Sequence, residues 1–259
     1  MIDTHSHLYL ADFGDIDSKC AAVDRALAAG VELMVLPGVD ADSIAPVREL
    51  HDLRPDATAI CAGLHPTEIH ADTWTSHLEL IEAELRTDRP YVAVGECGLD
   101  LYWEQQTLPL QLEACEAQLD LADKLGLPAI IHCREAMPQM LDLMQARAGR
   151  LPQMVFHCYS GTADDVGRLR RLLPDVKFGI GGVVTFKKSP LPAILPVIGI
   201  DHILLETDAP WLAPVPMRGK QNESAYVPYI AERIAAELGM PPAEVDAATT
   251  AAARRFFLL

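Results

Sequence analysis

Eight short, β-rich apolar runs alternate with longer stretches of helical periodicity along the chain, and no other feature restricts the fold as much. The runs end near His7, Pro37, Leu64, Glu96, His132, His157, Gly181 and Asp208. Strands are expected at Glu32 to Leu36, Ala59 to Leu64, Tyr91 to Gly95, Ala129 to His132, Met154 to His157, Val176 to Ile180 and Ile203 to Glu206, after a short first one around Ile2 to His5. Between them, Ser18 to Ala29, Leu108 to Leu125 and Ala163 to Leu173 repeat apolar residues at three- and four-residue intervals, the period of an amphipathic helix. Eight strand-helix units at a spacing of roughly thirty residues predict an α/β fold, a (β/α)8 TIM barrel whose parallel strands lie between a filled interior and outer helices. A doubly wound open sheet is the alternative, but it usually has fewer strands and a glycine-rich phosphate loop after the first, and no G-x-G-x-x-G follows Ile2 to His5. With 259 residues, the expectation is one domain over 1–259, in which Pro210 to Gly219 is a loop rather than a linker.

Charge narrows the partners. The chain carries 21 Lys and Arg against 37 Asp and Glu, a net charge of −16, which excludes a broadly basic nucleic-acid binder. The apolar run Leu191 to Ile200 is interrupted by Pro192 and Pro196, so no membrane span is expected. The first residues, Met1-Ile2-Asp3-Thr4-His5-Ser6-His7, lack the basic start and apolar stretch of a secretory signal, and a cytoplasmic location is expected. Six cysteines with no C-x-x-C pair predict reduced thiols rather than disulfides or a cysteine zinc site.

Metal-ligating residue types recur at the carboxyl ends of strands one, four, five, six and eight: His5, His7, Glu96, His132, His157 and Asp208. Barrel enzymes build their active sites at that face, so residues distant in sequence converge there. Along an extended strand, His5 and His7 point to the same side. Four histidines and two carboxylates exceed the needs of one tetrahedral zinc site, and two divalent ions sharing a carboxylate is the economical count, with Glu96 the natural bridge. Such donors suit Mg²⁺, Mn²⁺ or Zn²⁺ to different degrees, leaving the metal open. Cys97, Cys133 and Cys158 each follow a ligand type by one residue, and alternation turns them away from it as small buried hydrophobes. Asp3 and Glu206 stand two residues before His5 and Asp208 and are expected to support them. After the strands also come Arg134, Lys187, Lys188, Arg218 and Lys220, which as a group could seat a phosphate backbone. Tyr102, Trp103, Tyr159 and Trp211 offer faces on which unpaired bases could stack.

Several segments together resemble the TatD-type metal-dependent deoxyribonucleases of the amidohydrolase superfamily. They are Asp3-Thr4-His5-Ser6-His7, Gly63-Leu64-His65-Pro66, Gly95-Glu96-Cys97-Gly98-Leu99-Asp100, Ile131-His132-Cys133-Arg134, His157-Cys158-Tyr159-Ser160-Gly161-Thr162 and Glu206-Thr207-Asp208-Ala209-Pro210-Trp211-Leu212. The resemblance implies a barrel with one ion on His5, His7, Glu96 and Asp208, a second on Glu96, His132 and His157, and His65 beside them contacting the scissile phosphate. The implied activity is a 3′–5′ exodeoxyribonuclease on single strands or frayed ends, with Glu96, Asp208 and His65 catalytic; of the residues after the strands, Arg134, Lys187, Arg218 and Trp211 are expected to meet the substrate beside His65. Asp208 is then placed to orient the attacking water or take its proton. The family usually has R-N-E-P where Gln221-Asn222-Glu223-Ser224 stands, Asn in place of Ala252, and often an aromatic residue in place of Leu101. Two other functions stay open: a metal-dependent esterase or amidohydrolase, such as an aminoacyl-tRNA deacylase, and a non-catalytic binding protein on a barrel. A monomer would suffice for such a site, and the oligomeric state is left open. The acidic balance confines DNA contact to the ions and a few cations, which suits a strand end better than a long duplex.

Overall fold

A computed structural model describes residues 1–259. Eight strands pair in chain order, every neighbour parallel: β1 (Ile2–Asp3), β2 (Leu33–Leu36), β3 (Thr58–Ala62), β4 (Tyr91–Asp100), β5 (Ala129–Arg134), β6 (Met154–Phe156), β7 (Lys177–Ile180) and β8 (Ile203–Leu205). The seam between first and last strands is closed by Thr4 N–H to Leu205 O at 2.9 Å, Asp208 N–H to His5 O at 2.9 Å and His7 N–H to Ala209 O at 2.8 Å. Asp3 reinforces it, accepting from the Thr207 hydroxyl at 2.6 Å and the Thr207 backbone at 3.0 Å. The expected TIM barrel is therefore the fold.

Outside lie α1 (Ile16–Ala28), α2 (Ile44–Leu53), α3 (Trp74–Leu85), α4 (Leu108–Leu125), α5 (Met137–Ala146), α6 (Ala163–Leu172), α7 (Leu191–Ile198), α8 (Val227–Leu238) and α9 (Pro242–Phe257). Their boundaries follow local chemistry. Asp15 caps α1 through the Ser18 N–H, starting it two residues before the expected Ser18. Thr162 and Asp165 cap α6 reciprocally, and Gly126 ends α4 in the left-handed conformation. No helix is long and apolar enough to cross a membrane.

Two apolar clusters divide the interior. A cluster of 57 buried residues fills the layer between sheet and helices. A second, of 12, joins Ile2, Val35, Ala59, Cys61, Ala93, Ile130, Val155 and Leu204 from the strands to Ala252, Ala253, Phe256 and Phe257 of α9. Helix α9 thus stoppers the end at which the strands begin, and the polar residues are left to the other end.

Alternation explains how several strands deliver those residues. On β5, Ile130 lies in the inner cluster, so His132, two residues on, faces the same interior; on β6, Val155 and His157 are related the same way. Strand β4 departs from the rule. It runs to Asp100 rather than the expected Gly95, and its pairing with β5 shifts register between Val94 and Cys97. Counted from the inward Ala93, strict alternation would turn Glu96 toward the helices; the irregularity resets the count. Gly98, at φ 141°, lets β4 run against β5, where a Cβ would collide with the His132 carbonyl. Strand β1 ends at Asp3, so His5 and His7 lie beyond it, held by the seam and by the bridge between Ser6 and Ala209.

Candidate metal centre

Glu96 occupies the centre of the polar end, 2% exposed, and its two carboxylate oxygens face different partners. Oε2 is 3.1 Å from His5 Nε2 and 3.7 Å from His7 Nε2. Oε1 is 2.7 Å from His157 Nε2, 2.9 Å from His132 Nδ1 and 3.4 Å from His65 Nε2. Asp208 Oδ1 joins the first set, 3.6 Å from His7 Nε2 and 3.9 Å from His5 Nε2. All six expected ligand positions, and His65, are thereby brought together. The donor atoms fall into three groups, each within 4.8 Å: His5, His7 and Asp208; His5, Glu96 and His157; His65, Glu96 and His132. His157 lies closer to the first set than the implied division places it, stacked on His5 with ring centroids 3.8 Å apart.

Hydrogen bonds behind the rings decide which nitrogen each can offer. The Tyr9 hydroxyl donates to the Pro37 carbonyl at 2.8 Å, so it accepts from His7 Nδ1 at 3.0 Å, which leaves the His7 Nε2 lone pair facing Asp208 and Glu96. Asp100 accepts from His132 Nε2 at 2.8 Å, leaving the Nδ1 lone pair toward Glu96. His65 is fixed the opposite way. Its Nδ1 accepts from the Thr67 N–H at 3.2 Å, so Nε2 carries the hydrogen and faces the site as a donor rather than a ligand.

The electrostatics show what this constellation lacks. Burial would raise Glu96, but the facing His157, His65, His5 and His132 hold it well below the usual carboxylate range. Burial would raise Asp208 too, but the surrounding His7, His157 and His5 together lower it. Burial would lower His157, yet Glu96 and other carboxylates push it up to about 10, whereas burial and the neighbouring His157 push His5 down to about 4. Positive charge is demanded among the carboxylates, and only some of the rings can carry it. A divalent cation fits that demand: lone pairs on His7 and His132 point at carboxylate oxygens, and His5 Nε2 and His7 Nε2 converge at 3.1 Å.

The surrounding residues divide. Trp211, 49% exposed, stands edge-on to His7 at 5.4 Å between centroids. Arg134 lies over the Tyr102 ring at 3.9 Å, and Arg218 over the Phe186 ring at 3.9 Å, both in segments after strands. Lys187 is exposed and makes no side-chain hydrogen bond or ion pair. Tyr159 is not a base platform: it is 3% exposed, packs on Phe178 and donates its hydroxyl to Thr162 O. Glu206, expected to support Asp208, instead accepts from the Cys158 N–H at 2.5 Å beside His157. Asp3 holds the seam and the His5 backbone rather than its imidazole. Asp100, the partner of His132, gets no role when β4 is ended at Gly95; only a strand continuing through Gly98-Leu99 would reveal it. Ser224 bonds Ser6 Oγ, Gln221 bonds the Asp12 carbonyl, and Ala252 is buried with the inner cluster.

A closed parallel barrel that gathers histidines and carboxylates where its strands end is the form of a metal-dependent hydrolase. The family model described as "TatD related DNase" matches residues 2–258. The chain is 37% identical over 242 residues to "3'-5' ssDNA/RNA exonuclease TatD" of Edwardsiella piscicida, covering 91% of this chain and 90% of that protein. It is 33% identical over 258 residues to "Uncharacterized metal-dependent hydrolase YabD" of Bacillus subtilis, covering 99% and 98%. The crystal structure of YjjV, a TatD homologue of Escherichia coli, superposes with a TM-score of 0.90 at 28% identity, covering 100% of this chain and 98% of that one. The chain belongs to the TatD-related DNase family and is a metal-dependent hydrolase acting on ester bonds.

Proposed function

We propose that residues 1–259 act as one domain, in the cytoplasm, to hydrolyse phosphodiester bonds of DNA from the 3′ end of single or frayed strands, using two divalent ions. The observation that carries this is Glu96: one oxygen faces His5 and His7, the other His132 and His157, so one carboxylate can serve two adjacent cations. His5, His7, Glu96 and Asp208 would hold the first ion, and Glu96, His132 and His157 the second. Bound there, divalent ions neutralise a phosphate and acidify water. The side chains supply the rest. Asp208, lowered by the surrounding histidines against the effect of its burial, accepts the proton of the attacking water. His65 donates from Nε2 to a phosphate oxygen, an orientation set by Thr67. Trp211 borders the entry beside His7, and Arg134, Arg218 and Lys187 supply the cations for the strand.

The reading is supported by the name of the Edwardsiella relative, a 3′–5′ exonuclease of single-stranded DNA and RNA. Its test is a 5′-labelled single strand incubated with the protein and Mn²⁺ or Mg²⁺. The expected product is a ladder shortening from the 3′ end, abolished by Glu96→Ala. An intact strand, with cleavage of an aminoacyl or simple carboxylic ester instead, would assign the site to the other bond class.

A further inference from the structure

We infer that Tyr102, Trp103 and Arg134 form a subsite for an unpaired nucleotide of the substrate strand, the rings stacking on its base and the guanidinium meeting its phosphate. This rests on the phosphodiesterase reading of the neighbouring site. Trp103 is 64% exposed and Tyr102 47%, and their rings stand edge-to-face at 4.7 Å in the loop between β4 and α4. Neither ring belongs to either apolar cluster, so the core does not account for the exposure of two large aromatic side chains.

Arg134 completes the group. Its guanidinium carbon lies 3.9 Å from the Tyr102 centroid and 5.6 Å from that of Trp103. In this strongly acidic chain, arginines such as Arg25, Arg54 and Arg89 find carboxylates, but Arg134 makes no ion pair. A guanidinium stacked through its face keeps its edge N–H groups for an anion, and a phosphate takes two of them side by side.

The group is also tied to the candidate metal centre. Asp100 Oδ1 accepts the backbone N–H groups of Tyr102 at 2.9 Å and Trp103 at 2.8 Å, while its Oδ2 holds His132. Arg134 pairs with Asp100 across β4 and β5, two residues beyond His132 on the same strand. The rings therefore sit at a fixed offset from a ligand, as a subsite for the nucleotide next to the reacting phosphate requires. A base inside a duplex has both faces covered by its neighbours, so this surface engages only unpaired ends and selects single strands.

The experiment compares a short oligothymidylate with a strand of equal length carrying abasic residues at its 3′ end, in Mn²⁺, for wild type, Trp103→Ala, Trp103→Phe and Arg134→Gln. Wild type should show a KM about ten-fold lower for the base-bearing strand, with the difference collapsing in Trp103→Ala and largely kept in Trp103→Phe. Arg134→Gln should raise KM for both strands alike. Tryptophan fluorescence should be quenched by oligothymidylate in wild type, and less in Trp103→Ala. Cleavage by wild type with an equal base preference in Trp103→Ala would overturn the subsite and leave the phosphodiesterase reading standing. Quenching that depends on Trp103 without cleavage of either strand would support the subsite and overturn the hydrolytic reading. Neither cleavage nor quenching would overturn both.

Discussion

Asp100 Oδ2 lies 2.8 Å from His132 Nε2, and this contact decides how the ring enters the site. With Nε2–H donated to the carboxylate, the ring presents Nδ1 to Glu96 at 2.9 Å and cannot turn away without breaking that bond. Burial would lower His132, but the facing Asp100 and Glu96 carboxylates raise it.

Replacing Asp100 should therefore act on metal binding. Removing a carboxylate behind a ligating histidine typically costs about 10- to 100-fold in metal affinity, and Asp100→Ala is expected to show such a loss. Competition for Mn²⁺ against a fluorescent chelator measures it. Unchanged affinity would mean that His132 is oriented by other contacts.

His65 is expected to behave differently from the ligands. As a donor to the phosphate, its loss in His65→Ala should lower kcat by about 10²- to 10³-fold, while the number of bound ions stays at the wild-type value. Kinetics paired with elemental analysis separates the cases, because loss of an ion on this substitution would make His65 a ligand.

The stopper at the strand-start end predicts stability without function. Phe257 is 2% exposed against the inner strand residues, and Phe257→Ala should cost about 3–5 kcal/mol in urea unfolding. Mn²⁺ affinity of the folded variant should match wild type. A cost below about 1 kcal/mol would show that α9 does not complete the core.

Glu206 gives a pH dependence. Burial raises it to about 8 from an ordinary 4.5, so the folded chain keeps a proton that the unfolded chain releases near 4.5. Its contribution to stability is full below the unfolded value and is lost as pH rises through about 8. In chelator, Glu206→Gln should be more stable than wild type by a margin that widens from pH 5 to 8 and then levels. Denaturant melts across that range measure the margin, and a constant one would contradict the assignment.

The sequence discloses the barrel because its strands and helices differ in period and length, and because β5 and β6 obey alternation, placing His132 and His157 without further information. It does not disclose β4 fully. Gly95 and Gly98 look like a strand's end, whereas the chain continues through a register shift that only pairing with β5 reveals, and Asp100 is lost with it. Tyr159 fails for a related reason: its hydroxyl is satisfied by Thr162 and its ring by Phe178, contacts set by tertiary packing that a position after a strand cannot foretell. Nor does spacing show that Thr67 and Tyr9 fix the hydrogens of His65 and His7, since both are local bonds of ordinary polar residues.

The central claim is that Glu96 is shared by two cations. Crystals grown with Mn²⁺ and measured for anomalous scattering test it directly. Two peaks are predicted, one bounded by His5, His7 and Asp208 and the other by His132 and His157, each adjoining a different oxygen of Glu96. A single peak, or peaks that do not touch Glu96, would contradict the account.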